Sequence, residues 1–378
     1  MAAGPTMATG NAARSKVKAK ASDLSSRIRA NHRTLYPYER WWVEHQPFLL
    51  SLGYALRERY HPDWIATWDL LGNEEVPSNY FEDSIPAYSP GNVLDATRTT
   101  DGVKVVLKRV NGEEEAALSI YCGKTLPEMD TSTNNRAVPV LDKIDLPEEN
   151  KTLIVLPFLR EFNDPPFERV GEVIEALHQF MKGMRYLHSH NIAHRDLGGG
   201  NFMMDASRVV PGGWHMFKPW LLGEPGELLK LGSRLQTKSR LQVSPTQYFI
   251  IDFGLATCFP PGISLEDARA TGVYGQCRKE IPEMSDTVPY NPFKVDIYQM
   301  GRVILDLVEV YHGLEIFRTL ANRMMAPDPD ERPWAAECVE IFEQVSSSIN
   351  LERPVVFRSS GGHSSWLRFV IKQLMTRF

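Results

Sequence analysis

The sequence predicts an α+β chain, strands over residues 80–157 and helix beyond them, of a length that fits two lobes with extensions. Three observations lead there. With 378 residues, 43% of them apolar, the chain exceeds one ordinary domain and can bury a large core. Residues 80–157 read mostly as short strands, ending in apolar runs at 138–144 and 152–156 on either side of Pro147-Glu148-Glu149-Asn150, the pattern of a hairpin. From Phe167 the period changes: Val170, Val173, Ile174, Leu177, Phe180, Met181, Met184 and Leu187 recur at three and four, the strongest helix signal in the chain.

Taken in order, residues 1–35 are a basic tail, with Arg14, Lys16, Lys18 and Lys20 among Ala, Gly and Ser. No amphipathic stripe is evident, so disorder is expected in preference to a transit peptide. Residues 36–79 hold Trp41, Trp42, Trp64 and Trp68, with Phe48, Leu49, Leu52 and Leu56 at helical spacing. Pro47 is expected in a first helical turn, where its missing N–H costs nothing. Such stripes are core before they are ligand boxes, so this segment is expected to pack onto a lobe as an extension.

In the first lobe, Val105-Val106-Leu107-Lys108 is a β-branched run ending in an ammonium suited to lie beside phosphate oxygens. Residues 113–121 then read as a helix capped near Asn111, with acids favoured in its first turn. Residues 123–136 are polar and read as a loop. The long helical pattern delivers the chain to His194-Arg195-Asp196-Leu197-Gly198-Gly199-Gly200-Asn201. An acid followed by a carboxamide at this spacing suits a loop that holds a hydroxyl with one group and a metal ion with the other. Asp252, in Ile251-Asp252-Phe253-Gly254, stands where a strand is expected to end. Hard oxygen ligands converging from separate loops suit Mg²⁺ on a nucleotide triphosphate. Singly these signals are bland, since an Asp after Arg is commonly a turn and Asp-Phe-Gly a strand end.

As an ordered set, Lys108, the His-Arg-Asp loop with its Asn, and Asp-Phe-Gly resemble the protein kinase family. The resemblance implies a two-lobed kinase-like fold, with N-lobe 80–157 and C-lobe 158–350. It implies ATP and Mg²⁺ as cofactors and a protein hydroxyl, of Ser/Thr type, as acceptor. Asp196 then accepts or orients the proton of the attacking hydroxyl, and Lys108 fixes the α and β phosphates. Glu115 is expected to hold Lys108 through an ion pair, with Glu114 as second choice. Asn201 and Asp252 hold the metal. Gly91, Val93, Val106, Lys108, Leu156, Phe158, Leu159 and Met203 take the ATP positions, while His194, Arg195, Phe253, Gly254, Glu283, Asp296 and Arg332 are structural. Asp296 is expected to open a helix. Arg195 implies control through the activation segment, by phosphate on Thr257, Ser264, Thr271 or Tyr274, or constitutively by Glu266 or Asp267.

Two departures carry the alternative, a pseudokinase scaffold, and a third leaves the substrate class open. Pro86 and Tyr88 stand where the family's glycine-rich loop has its first two glycines. Gly198-Gly199-Gly200 replaces the basic residue that most kinases place after the Asp, and Gly275 to Glu280 lacks the Thr or Ser that supports a substrate. Narrower still, the Trp-rich extension and the run Asp286-Thr287-Val288-Pro289-Tyr290-Asn291-Pro292-Phe293-Lys294-Val295-Asp296 resemble divergent kinase-like proteins of mushroom-forming (basidiomycete) fungi.

Residues 206–246 form an insertion whose Lys230, Arg234, Lys238 and Arg240 are expected to offer charge to an acidic or phosphorylated protein partner. In the tail, 351–378, Trp366, Phe369, Val370 and Leu374 suggest a short amphipathic helix. A formal charge of −5 gives no bulk attraction to nucleic acid or anionic membrane. The best apolar run, 48–56, is broken by Ser51 and Gly53 and does not approach a membrane span. Cys122, Cys258, Cys277 and Cys338 lack metal-ligand spacing, so reduced thiols in the cytoplasm or nucleus are expected.

Overall fold

The computed structural model describes residues 32–72, 78–88, 90–110, 113–124, 134–146, 151–221 and 235–358. The tail before His32, the cap at Asn111, the side chain of Glu114, Lys230, Arg234 and the helix suggested around Trp366 fall outside the described residues. The chain divides into two compact units, 1–107 with 212–236, and 108–211 with 237–378.

The first unit begins with α1 (Pro37–Ser51), not at Pro47 as expected. Pro37 takes the first-turn position, and the carboxylate of Glu39 accepts the Tyr36 N–H at 2.9 Å, so the start signal lies ten residues earlier and Pro47 sits inside the helix. The buried face is Glu39, Trp42, Gln46 and Leu49, whereas Phe48 and Leu52 stay exposed. Trp42 and Trp68 are fully buried, as core. β1 (Tyr54–Leu56) pairs antiparallel with β2 (Val93–Arg98), and β3 (Lys104–Val110) follows β2 in the sheet.

Two buried ionic clusters that apolar periodicity does not reveal hold this unit together. Arg59 forks onto Glu39 at 2.8 and 3.0 Å, and Tyr60 donates to the same carboxylate at 2.9 Å. In the second cluster the Arg57 Nε donates to Glu82 Oε1 at 2.5 Å, and His215 Nε2 lies 3.1 Å from the same oxygen. His215 belongs to the insertion. Its neighbour Phe217 accepts from the Tyr88 hydroxyl at 2.6 Å and packs against that ring. This part of the insertion is thus a packed element, and deleting residues 208–243 is expected to lower the unfolding temperature by several degrees, read by calorimetry.

Acid should loosen the same cluster. Burial pushes the Glu82 carboxyl up, but Arg57 and His215 outweigh it and bring it down to about 2. A depressed carboxylate contributes stability above its unfolded value that is lost as pH falls through the folded one. Burial also lowers His215 against the attraction of Glu82 and Asp95, with Arg57 repelling its charged form, so its protonation acts in the same direction. Stability is expected to fall from about pH 6.5 downward and further below about pH 4.5. His215→Gln should remove the upper part of that profile in denaturant titrations.

The second unit carries the rest of β3, then α2 (Glu113–Lys124) and the hairpin of β4 (Asp142–Leu146) and β5 (Lys151–Pro157), paired from Asp142↔Val155 to Leu146↔Lys151. α3 (Val170–Ser189) buries Val170, Val173, Leu177, Phe180, Met181, Met184 and Leu187, while Ile174 is only half-buried. Phe180 stacks on Phe202 with ring centres 4.0 Å apart. β6 (Arg160–Glu161), β8 (Phe202–Met204) and β9 (Tyr248–Ile250) form a small antiparallel sheet, and β7 (Ile192–Ala193) pairs with β10 (Thr257–Cys258). α4 (Pro292–Val310) starts one turn before Asp296, contrary to expectation, because the Asn291 side chain caps the Phe293 and Lys294 N–H groups and Pro292 takes the first position. α5 (Arg318–Met324) and α6 (Ala335–Ser346) complete the helical layer.

Arg240 also departs from the expectation of a basic recognition surface. It is 2% exposed and donates to the carbonyls of Phe162 at 3.1 Å and Pro165 at 2.5 Å, with its own N–H on Glu172 at 3.0 Å. Lys238 is exposed. Among the described residues no helix is long and apolar enough to cross a membrane.

Candidate active site

Lys108, on β3, donates to Glu115 Oε1 at 2.9 Å and to Asp252 Oδ1 at 2.7 Å. Burial pulls the ammonium's pKa down, yet Asp252 and Glu115 together outweigh it and the group is held charged above its ordinary value. Asp252 answers in kind: burial raises its carboxyl, and Lys108 brings it below the usual range. Asp252 adopts a left-handed conformation, φ 67°, just past β9. Gly254 is fitted to this cluster, since a side-chain carbon there would come within 3.1 Å of Glu115 Oε1 and 3.3 Å of Asp252 Oδ1.

Asp196 follows Arg195, whose φ is 66°. Its Oδ2 accepts from Asn201 Nδ2 at 2.8 Å and its Oδ1 from the Gln276 N–H at 2.5 Å. Burial raises its pKa against the Gln276 hydrogen bond. The loop is fixed from below by Asp296, which is fully buried and accepts from the N–H groups of His194 at 2.8 Å and Arg195 at 2.6 Å, and from His188 at 2.9 Å. His194 is itself fully buried, packs on the Phe253 ring, and approaches the Ile251 carbonyl at 3.1 Å. Arg332 forks onto Glu283 at 2.5 and 2.9 Å, the pairing anticipated for a structural role.

Arg195 reaches into the segment after Asp252, donating to the Thr257 hydroxyl at 3.2 Å, the Thr271 carbonyl at 2.6 Å and the Tyr290 hydroxyl at 3.1 Å. Its acceptors are neutral, so the constitutive pairing with Glu266 or Asp267 is not made.

Of the apolar positions singled out for a nucleotide, Val93 and Val106 in the first unit and Phe158, Leu159 and Met203 in the second are half-buried, and Leu156 is buried. Val106 alternates with fully buried Val105 and Leu107, so it lies on the opposite face of β3 from that core. Gly91 has φ 73°, and a side-chain carbon on it would meet the Tyr38 carbonyl at 2.7 Å; its own carbonyl accepts from Trp42 Nε1 at 2.8 Å. What requires glycine there is close approach to α1.

Two glutamines escaped sequence reasoning. Gln299 accepts the Leu197 N–H at 2.8 Å and donates to the carbonyls of Arg195 at 3.1 Å and Gln276 at 3.0 Å. Its position one helical turn after Asp296 was the available signal, since both then face the same loop. Gln276 had no local pattern to announce it.

The family model described as protein kinase domain matches residues 89–325, most of the chain. The chain belongs to the protein kinase family. This kinase has the two-lobed α+β fold of that family, with a smaller mostly β lobe and a larger mostly α lobe. It is 25% identical over 200 residues to a Wee1-like protein kinase of Oryza sativa subsp. japonica, covering 47% of this chain and 30% of that protein. To the probable serine/threonine-protein kinase MARK-A of Dictyostelium discoideum it is 24% identical over 207 residues, 46% of this chain and 16% of the relative. To the serine/threonine-protein kinase TAO2 of Rattus norvegicus it is 28% identical over 151 residues, 40% of this chain and 9% of the relative. The matched region therefore spans less than a third of each of these curated relatives.

Proposed function

We propose that this kinase transfers the γ-phosphate of ATP to a protein hydroxyl, with serine or threonine as the acceptor. The observation that carries the reading is the set of contacts joining Lys108 to Glu115 and Asp252, beside an Asp196 hydrogen-bonded by Asn201. Two of the relatives bear serine/threonine-protein kinase names, which supports the acceptor class.

The donor set fits Mg²⁺ and a triphosphate: the Asp252 carboxylate and the Asn201 amide oxygen are hard ligands, and Lys108 is a half-buried cation held in place by two acids. Mg²⁺-ATP, when bound, supplies the phosphoryl group and compensates its charge. Lys108 binds phosphate oxygens, and Glu115 orients it. Asn201 holds Asp196 while offering its own carbonyl oxygen to the metal. Asp196 accepts the proton of the acceptor hydroxyl, and its pKa, raised by burial, makes it a better base than a solvated carboxylate. Leu156, Phe158, Leu159 and Met203 would contact the nucleotide from the second unit. Phosphoryl transfer asks for alignment and charge compensation more than covalent help, which is what this set provides.

A scaffold reading is favoured by one observation, that Gly91 is committed to Tyr38 and Trp42 while Pro86 and Tyr88 occupy the other glycine places. The two readings separate in a thermal shift with ATP, with and without Mg²⁺, followed by γ-phosphate transfer to a peptide library. A Mg²⁺-dependent shift with transfer supports the enzyme; a shift with no transfer supports the scaffold. The Trp-rich extension and residues 286–296 support the narrower kinship with divergent fungal kinase-like proteins.

A further inference from the structure

We propose that Gln276 is the positioning residue of Asp196, and that Gly198 is the seat its side chain requires. The catalytic half of this inference rests on the kinase reading above; the seat does not.

A side-chain carbon on Gly198 would fall 2.1 Å from Gln276 Oε1, 2.2 Å from its Cδ and 2.7 Å from its Cβ. Oε1 and Cδ lie at the free end of the side chain and can swing away, but Cβ is tied to the backbone, so a side chain at 198 displaces the Gln276 side chain from this position. Gly200 contributes its N–H, which donates to Gln276 Oε1 at 3.3 Å, while a carbon on it would make only ordinary contact, 3.4 Å from Gln276 Nε2. The main chain of Gln276 is engaged too. Its N–H donates to Asp196 Oδ1 at 2.5 Å, and its carbonyl accepts from Gln299 Nε2 at 3.0 Å, the amide that also holds the Arg195 carbonyl. Gly275 permits this approach: its φ is 79°, and a side-chain carbon on it would fall 2.7 Å from the Arg195 carbonyl and 2.8 Å from Asp196 Oδ1.

The glycines that replace a basic side chain in the sequence are therefore filled space. One glutamine from a segment eighty residues later clasps the loop at Asp196, Gly200 and, through Gln299, Arg195 and Leu197. This clasp orients the carboxylate without exhausting it. A carboxylate has about four lone-pair sites, and the contacts from Gln276 and Asn201 leave acceptor capacity for a substrate hydroxyl.

The seat is tested by Gly198→Ala in two backgrounds, wild type and Gln276→Gly, by thermal unfolding. Gly198→Ala should lower Tm by roughly 5 °C in the wild type and by less than half of that once the glutamine side chain is gone. Equal shifts in both backgrounds would overturn the seat. For positioning, Gln276→Ala keeps the main-chain N–H on Asp196 but removes the seated side chain that fixes where it stands, and should lower kcat about 10-fold or more with the KM for ATP and Mg²⁺-ATP affinity by calorimetry unchanged. An unchanged kcat, or a KM for ATP that rises in its place, overturns that role. A wild-type chain that binds Mg²⁺-ATP yet transfers no phosphate overturns the kinase reading and the positioning role together, and the Tm coupling then decides the seat alone.

Discussion

Asp196→Asn is expected to lower phosphotransfer by about 10²–10⁴-fold, the range over which a positioned general base acts. The substitution keeps the shape of the side chain and leaves an oxygen to accept the Gln276 N–H, which the carboxylate accepts at 2.5 Å. It removes the capacity to take a proton. Binding of Mg²⁺-ATP, which the proposal assigns to Lys108, Asn201 and Asp252, should change little. Initial rates on the best peptide, with calorimetric ATP binding in parallel, check both halves. A variant as fast as wild type would mean that the measured activity came from another protein.

The second large effect concerns stability. Arg332→Ala is expected to cost about 3–5 kcal/mol, because it leaves a partly buried carboxylate without its partner. Arg332 is 1% exposed and donates to Glu283 at 2.5 and 2.9 Å, to the Lys294 carbonyl at 2.9 Å and to the Ala326 carbonyl at 2.8 Å. Removing it takes a donor from three acceptors together, of which Glu283 is the charged one. Chemical denaturation should show a lower midpoint with an unchanged slope. The double variant with Glu283→Ala should lose less than the sum of the two single variants, since the second change removes the stranded charge.

Much of this site was legible in the sequence because its members are local or periodic. The stripe of α3 placed its own core, and the acids after Lys108 fell on the first turn of α2, so the choice of Glu115 as partner followed from helix geometry. What escaped detection joins distant residues. His215 meets Glu82 across 133 positions, and Gln276 meets Asp196 across 80, with nothing periodic between them. Arg240 looked like Lys238 in composition, and only the carbonyls of Phe162 and Pro165, brought together by the fold, set it apart. The start of α1 was misplaced because Pro37 and Pro47 both precede helical spacing; the carboxylate of Glu39 on the Tyr36 N–H decides between them.

The glycine run at 198–200 shows the same limit from the other side. Read as sequence, it is a lost side chain and a loose loop. In the folded chain Gln276 fills the space above Gly198, so the absence at one position is matched by a presence at another.

Lys108, Glu115 and Asp252 are proposed to be gathered to receive a metal-bound triphosphate. Calorimetric titration of ATP into the wild type and Asp252→Asn, each with Mg²⁺ and with EDTA, tests it most directly. The wild type should bind about tenfold or more tightly with Mg²⁺, a difference of about 1.4 kcal/mol, and Asp252→Asn should bind alike in both. Wild-type affinity indifferent to Mg²⁺, or no ATP binding at all, would contradict the account.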